Sequence, residues 1–167
     1  MKQLLLQKGE IIIEEVPPPA ISDNEVLVQT HYSLISTGTE LSGISMSKES
    51  LLTRAMKQPH NVRKAMKMAS EKGLVQTYKV IKGILDFGTP IGYSLAGEVV
   101  EVGKNIRDIK KGDLVACSGA GIANHAEFVA VPRLLVSRVP DGLDLKQAAS
   151  VTLGAIAMQG VRQANPK

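Results

Sequence analysis

The clearest architectural signal in the chain is PIGYSLAGEVVEVG, residues 90–103, followed closely by IKKGDLV, residues 109–115. The first run is β-branched from Ser94 to Val102, which predicts a strand over residues 94–102. Gly97 interrupts that strand, and a glycine there usually marks a bulge or the close approach of another backbone. Gly103 and Gly112 are expected at turns with positive φ. The two runs therefore predict short strands separated by glycine turns.

Similar short strands are predicted on both sides of this region. Residues 4–6 and 11–13 flank a turn at residues 8–10 and predict a hairpin. Residues 25–31 alternate in polarity, with Val26 and Val28 on one face. Two more apolar runs, residues 126–131 and 134–139, are separated by Pro132. Many short strands with Gly and Pro between them predict a barrel or sandwich, a mainly β fold.

Helical patterns occupy the middle and the end of the chain. We predict a helical insertion at about residues 46–86, with Ser47 capping a first helix that ends before Pro59. A second helix is predicted from Asn61 to a C-terminal Gly73, and a third follows from Leu74. Residues 144–147 resemble a capping box that opens a short helix, and residues 154–163 form the last predicted helix.

Composition excludes several classes of protein. The 167 residues are 44% hydrophobic, which argues against disorder. A single cysteine excludes a disulfide framework and a Cys-cluster metal site. No apolar run approaches the roughly 20 residues of a membrane helix, and three leucines near Met1 are too few for a signal peptide. We therefore expect a cytoplasmic protein without a membrane partner.

The net charge of +4 is concentrated in one segment. Residues 43–88 hold nine Lys and Arg against three acidic residues, whereas the remainder holds 11 basic and 13 acidic residues. Aromatic residues make up only 3% of the chain, so base stacking on nucleic acid is not expected. The basic segment is interpreted as a solvated lid or an oligomer contact, and the alternative is a cap that steers an anionic substrate.

Residues 92–103 and 109–115 resemble the "G-x-x-x-x-G-x-V-x-x-V-G … k-x-G-D-x-V" run of a known family. That family is the N-terminal, GroES-like catalytic domain of medium-chain dehydrogenases/reductases, which form the zinc alcohol dehydrogenase and quinone reductase superfamily. Further matches are residues 25–28, 36–40, 126–129, 139–142 and 148–149. The resemblance implies one GroES-like, partly open β-barrel over residues 1–167. The long helical insertion also resembles bi-domain oxidoreductases in which a Gfo/Idh/MocA-type half follows.

The resemblance also implies where the family's zinc ligands would fall. Thr37 and Tyr93 occupy the places of a Cys and a His, and Thr152 is the nearest match to the third ligand. Neutral hydroxyls are poor zinc ligands, so no zinc is expected. The catalytic candidates are Thr37, Tyr93, Glu40, which stands at the family's Asp, and His125, which precedes a predicted strand. The alternative is that these residues only fill space and bond one another.

A dinucleotide fingerprint is missing, because Gly119-Ala120-Gly121 lacks a third glycine and a following helix. The resemblance implies a downstream Rossmann domain that binds NAD or NADP. We therefore expect the substrate-side domain of an oxidoreductase for an alcohol, polyol, sugar or enone, inactive on its own.

The expected partners are a small-molecule substrate, that Rossmann domain and a second copy in a homo-oligomer. The alternative is a non-catalytic binding or assembly module, since a fold alone does not decide function. His31, His60 and Cys117 are interpreted as surface or packing residues.

Overall fold

The structure is a computed structural model that describes residues 1–48 and 59–165. Clustering of its contacts divides the chain into two compact units. The first, here called the barrel unit, comprises Met1–Leu4, Ile13–Ser36 and Pro90–Lys167. The second, the helical unit, comprises Leu5–Ile12 and Thr37–Thr89.

Eight strands and five helices make up the described chain. In order they are β1 (Lys2–Gln7), β2 (Glu10–Glu15), β3 (Glu25–Ser33), α1 (Thr37–Lys48), α2 (Pro59–Lys72), α3 (Leu74–Phe87), β4 (Thr89–Pro90), β5 (Ser94–Val102), β6 (Leu114–Ser118), β7 (Phe128–Pro132), β8 (Val136–Arg138), α4 (Leu145–Ala148) and α5 (Val151–Ala164). None of these helices is long and apolar enough to cross a bilayer.

The barrel unit is built on a five-stranded antiparallel sheet of order β7-β3-β5-β6-β8. The predicted strand over residues 94–102 is β5, which lies at the centre of this sheet. One face carries the main core, to which β3 contributes Val26 and Val28 and β5 contributes Leu95 and Val99. The alternation seen in the sequence thus places the apolar residues of both strands inside. This curled sheet is the partly open barrel that the resemblance implies.

A second, smaller core lies on the other face of the sheet. Ala96 of β5 and Ala116 of β6 pack there against Ala148 and Ala149. The Asp144 carboxylate caps α4 by accepting a hydrogen bond from the Lys146 backbone N–H at 3.0 Å, as the capping pattern predicts. Small residues on both sides let the helix lie directly on the sheet.

Gly97 is required because β3 runs very close to it. A Cβ at this position would overlap the Gln29 carbonyl oxygen, and the β3–β5 register is irregular nearby. The expected close approach is confirmed. Positive φ is confirmed at Gly112, with φ of 88°, but not at Gly103, where the need for glycine comes from the nearby carbonyls of Ser22 and Asp23.

The described residues of the helical unit contain the predicted hairpin turn and three helices. Lys8 and Gly9 both have positive φ between β1 and β2, as a tight hairpin turn requires. A three-stranded sheet has the order β2-β1-β4. Gly73 separates α2 from α3 with φ of 84° and donates its N–H to the Ala69 carbonyl, which confirms the predicted left-handed cap.

The start of the predicted helical insertion is wrong. A helix that the sequence analysis did not predict, α1, begins at Thr37, and Ser47 lies in its last turn, where its hydroxyl donates to the Ile44 carbonyl at 2.9 Å. A serine that bonds backward in this way lies inside a helix and does not cap its start. The second helix begins at Pro59, two residues before the predicted Asn61. Residues 51–56, used to predict the first helix, lie outside the described residues.

Candidate functional site

The four predicted site residues are divided between the two units. Tyr93 and His125 belong to the barrel unit, where Gly92 lies between them in space. Thr37 and Glu40 belong to the helical unit, in the first turn of α1. Thr37 is exposed, and a carboxylate such as Glu40 is favourable near a helix N-terminus. In the barrel unit, the close packing of Gly92 against His125 fixes the geometry around Tyr93 and His125.

Tyr93 and Thr152, which the resemblance aligns with zinc ligands, meet through a hydrogen bond. The Thr152 hydroxyl donates to the Tyr93 carbonyl at 3.0 Å, and the Thr152 N–H donates to the Ser94 hydroxyl at 3.2 Å. The Ser94 hydroxyl in turn donates to the Ala149 carbonyl at 2.6 Å and is fully buried. We call the side chains of Ser94 and Thr152 with these partners the hydroxyl bridge. It joins the start of β5 to the start of α5.

The hydroxyl bridge uses most of the hydrogen-bonding groups where β5 begins beside α5. Gly119 also donates its N–H to the Tyr93 carbonyl at 2.9 Å, so that carbonyl accepts two hydrogen bonds. The proton of each bridge hydroxyl is committed to a backbone carbonyl, which leaves only acceptor capacity on the oxygens. The backbone of Tyr93 is thereby fixed, while its half-buried phenol extends from a rigid base.

His125 is buried and held from several sides. Its N–H donates to the Ile91 carbonyl at 2.8 Å, and its carbonyl accepts from the Leu4 N–H at 2.9 Å. Its Nδ1 lies 2.9 Å from the Ser33 hydroxyl, with the donor set by the ring tautomer. Its side chain packs against Gly92, where a Cβ would come within 2.7 Å of the His125 nitrogen. His125 is only 5% exposed, so it supports the site from inside.

Sequence reasoning missed Ser33, Ser94 and Asn124. Asn124 is 7% exposed, and its Oδ1 has no hydrogen-bond partner. A buried amide oxygen without a partner is unusual, because its desolvation is not compensated. The available signal was a small polar residue at a strand terminus, since Ser33 ends β3 and Ser94 begins β5.

Cys117 lies in the core of β6, as predicted. It is fully buried, and burial raises the pKa of its thiol to about 12. The thiolate, which is the reactive form, is therefore disfavoured. His31 is exposed, consistent with a surface residue.

The donor set of the described residues does not resemble a metal centre. Within residues 1–48 and 59–165, no three His, Cys, Asp or Glu side chains are grouped so that they could hold a metal ion. The loop of Gly119 and Gly121 also does not form the phosphate-binding turn of a dinucleotide site. Gly119 and Gly121 have positive φ, but the segment after them leads into strand β7 and not into a helix. The N-terminal helix dipole that binds a pyrophosphate is therefore missing from this loop.

A separate cavity of about 310 Å³ opens in the barrel unit. Val139, Leu143 and Val151 give it an apolar lining, and Gln147 and Arg138 stand at its polar side. Arg138 is engaged by Asp113, with Nε 3.2 Å from the carboxylate oxygen. The lining of this cavity includes none of the four predicted site residues and neither Ser94 nor Thr152 of the hydroxyl bridge.

Comparison with known proteins connects this architecture to oxidoreductases. No family model matches the chain. A trans-enoyl reductase, mycC, from Thermothelomyces thermophilus is 34% identical over 87 residues, which cover 44% of this chain and 23% of that protein. The structure of the quinone oxidoreductase from Coxiella burnetii is similar to this chain, with a TM-score of 0.66 and 20% identity. The match covers 100% of this chain and 46% of that protein.

Two further solved structures extend the comparison. Mycobacterial Rv1454c complexed with NADPH has a TM-score of 0.66 and 19% identity, over 100% of this chain and 42% of that one. Galactitol-1-phosphate dehydrogenase from Escherichia coli has a TM-score of 0.61 and 18% identity, over 90% and 41% of the two chains. This chain spans less than half the length of each of these proteins. It has the GroES-like, partly open barrel fold found in quinone oxidoreductases and alcohol dehydrogenases.

Proposed function

We propose that this chain forms the substrate-side domain of an NAD(P)-dependent, zinc-independent oxidoreductase of the medium-chain dehydrogenase/reductase superfamily. The observation that carries the proposal is the hydroxyl bridge, in which Thr152 and the Tyr93 carbonyl meet, two of the three residues that the resemblance aligns with zinc ligands of that superfamily. The fold shared with quinone oxidoreductases and the identity to an enoyl reductase support it.

The substrate class is proposed to be a conjugated enone or enoyl compound. Reduction of such a substrate places negative charge on the carbonyl oxygen, and a hydrogen-bond donor can stabilise that charge without a metal. The Tyr93 phenol is the proposed donor in the barrel unit, because its backbone is fixed by two hydrogen bonds to its carbonyl. Thr37 is the second proposed donor, and Glu40 is proposed to orient it. An alcohol, polyol or sugar remains the second substrate class.

His125 is proposed as a positioning residue. It supports Gly92, which precedes Tyr93, and it is linked to Ser33 through Nδ1. The loop of Gly119 and Gly121 does not lead into a helix that could bind a dinucleotide pyrophosphate, so the hydride donor is proposed to be bound by a separate Rossmann domain of the full-length protein. The 167-residue chain alone is proposed to be inactive.

The decisive experiment compares Tyr93→Phe with Tyr32→Phe in the protein that includes the cofactor domain. Tyr32 is 45% exposed and serves as the matched control for loss of a phenol. NAD(P)H oxidation is followed with enones and quinones, and NAD(P)+ reduction is followed with sugar alcohols. We expect Tyr93→Phe to lower kcat/KM by about 100-fold, the size of a lost charge-stabilising donor, and the control to leave it unchanged. Equal turnover in both variants removes Tyr93 from the mechanism.

Zinc independence has its own test. Elemental analysis of the purified protein should find no stoichiometric metal, and one zinc per chain overturns the ligand-loss argument. The proposed Rossmann domain, and the further proposal of a Gfo/Idh/MocA-type half, are tested by the coding sequence beyond Lys167. A strand followed by a G-x-G-x-x-G turn supports the enzyme, whereas its absence, with no NAD(P)-dependent turnover, supports the binding module.

A further inference from the structure

We propose that the helical unit binds the surface of an anionic lipid membrane through one patch at the start of α3. The patch consists of Leu74, Val75 and Tyr78 with Lys72, Lys79 and Lys82, and we call it the basic patch. The proposal does not depend on the reaction proposed above. It concerns contact with a membrane surface, and it departs from the expectation of no membrane partner, which rested on the lack of a spanning segment.

The apolar members of the basic patch face solvent. Leu74 is 79% exposed, Val75 is 70% exposed and Tyr78 is 66% exposed. In contrast, Thr77 on the same helix is 6% exposed, so α3 is oriented with these three side chains away from its packed face. Scattered exposed apolar residues are ordinary, but three within one turn and a half form a contiguous apolar surface.

Two lysines lie on the same face of α3 as this apolar surface, and a third ends the preceding helix, α2. Lys82 follows Tyr78 by four residues, and Lys79 follows Val75 by four, so each lies directly above its apolar neighbour. Lys72 precedes the turn at Gly73, and all three lysines are exposed. No acidic residue lies within residues 72–85, and the nearby Glu71 is paired with Lys67 at 3.9 Å.

This combination matches an anionic bilayer surface. Leucine, valine and tyrosine can enter the boundary between headgroups and acyl chains, and lysines beside them contact anionic headgroups. Long lysine side chains can keep their charge in the headgroup layer while their stems cover apolar surface. A second copy of this chain fits less well, because two basic patches would bring lysines of like charge together.

The test uses the whole 167-residue chain in flotation with phosphatidylcholine vesicles, either pure or containing about 30% phosphatidylserine, a lipid that gives the surface a negative potential. We expect binding to the anionic vesicles only, and we expect it to weaken as salt rises. Changing Lys72, Lys79 and Lys82 to Gln should reduce the partition coefficient on the order of 100-fold. Changing Leu74, Val75 and Tyr78 to Ser should reduce it at least about tenfold.

Matched variants separate the basic patch from general charge and hydrophobicity. Changing Lys104, Lys110 and Lys111 to Gln removes the same charge from the barrel unit, and changing Ile13, Leu134 and Ile156 to Ser removes exposed apolar residues elsewhere. Both controls should bind like the parent, with circular dichroism confirming that each variant is folded. Equal binding to neutral vesicles, or equal loss in the controls, overturns the proposal. Binding to soluble poly-glutamate without binding to vesicles also overturns it and identifies an acidic polypeptide as the partner.

Discussion

The barrel unit and the helical unit bury their residues in very different ways. The main core lies entirely in the barrel unit, where β3, β5, β6 and β7 direct valines and leucines to one side. Among the residues of the helical unit whose burial is described, only Leu5, Gly9, Thr77 and Gly88 are buried. The barrel unit is therefore stabilised by strand pairing between distant residues, and the helices depend more on local hydrogen bonds and propensity.

This difference predicts opposite responses to the same change at a glycine. Gly97→Ala in β5 should lower the free energy of unfolding by about 4 kcal/mol, because a Cβ meets the rigid backbone at Gln29. Gly83→Ala in α3 has open space around it and should raise that free energy by up to about 1 kcal/mol, since alanine is the better helix former. Urea denaturation followed by circular dichroism measures both. Similar losses in the two variants would show that the helical unit is packed as tightly as the barrel.

A matched pair of leucines tests the same contrast through burial. Leu95→Ala removes a fully buried side chain and should cost about 3 kcal/mol through lost burial and a cavity. Leu74→Ala removes a side chain that is 79% exposed, so the same assay should show a change within about 0.5 kcal/mol. A large effect at Leu74 would mean that a contact covers it.

Two serines provide a third, smaller contrast. Ser94→Ala removes the centre of the hydroxyl bridge and leaves the Ala149 carbonyl and the Thr152 N–H without this partner, at an expected cost of about 2 kcal/mol. Ser70→Ala removes a hydroxyl that bonds the Lys67 carbonyl on an exposed part of α2 and should change stability by less than about 0.5 kcal/mol. Thermal melts resolve the difference. Equal melting temperatures for parent and Ser94→Ala would remove the bridge from the account of stability.

The smallest expected effect comes from surface ion pairs. The Arg133 guanidinium hydrogen-bonds Asp108, with Nε 3.0 Å from Oδ1, and holds the pKa of that carboxyl below its ordinary value. The pair therefore stabilises the fold above the ordinary pKa of aspartate, and this contribution is lost as pH falls through the lowered pKa of the folded state. Asp108→Asn should lower the melting temperature slightly at neutral pH and not at all in acid.

The control for this pair lies in the helical unit. Glu71→Gln breaks the exposed Lys67–Glu71 pair of α2 and should leave the melting temperature nearly unchanged, because such i,i+4 pairs contribute only about 0.3–0.5 kcal/mol. If the effect of Asp108→Asn does not shrink on acidification, the pair does not act through the charge of Asp108.

Sequence reasoning located most elements because their signals are local. The strand over residues 94–102, the Gly73 cap and the Asp144 cap each follow from neighbouring residues. The sequence did not predict α1, because Ser47 has the chemistry of a cap but bonds backward within that helix. The candidate site was found only in part. Tyr93 came from a position aligned by the resemblance and His125 from its place before a predicted strand, whereas no local pattern indicated that Ser94 would meet Thr152.

The chain alone determined its strands, its turns and the chemistry available to it, with hydroxyls at the positions aligned with metal ligands. Those properties depend on residue type and on neighbours a few positions away. The tertiary structure decided which polar groups meet, since Ser94 and Thr152 are 58 residues apart and Ser33 and His125 are 92 apart. Such contacts depend on strand register and on how helices lie on the sheet, and these are set by the packing of the whole core and not by any one segment.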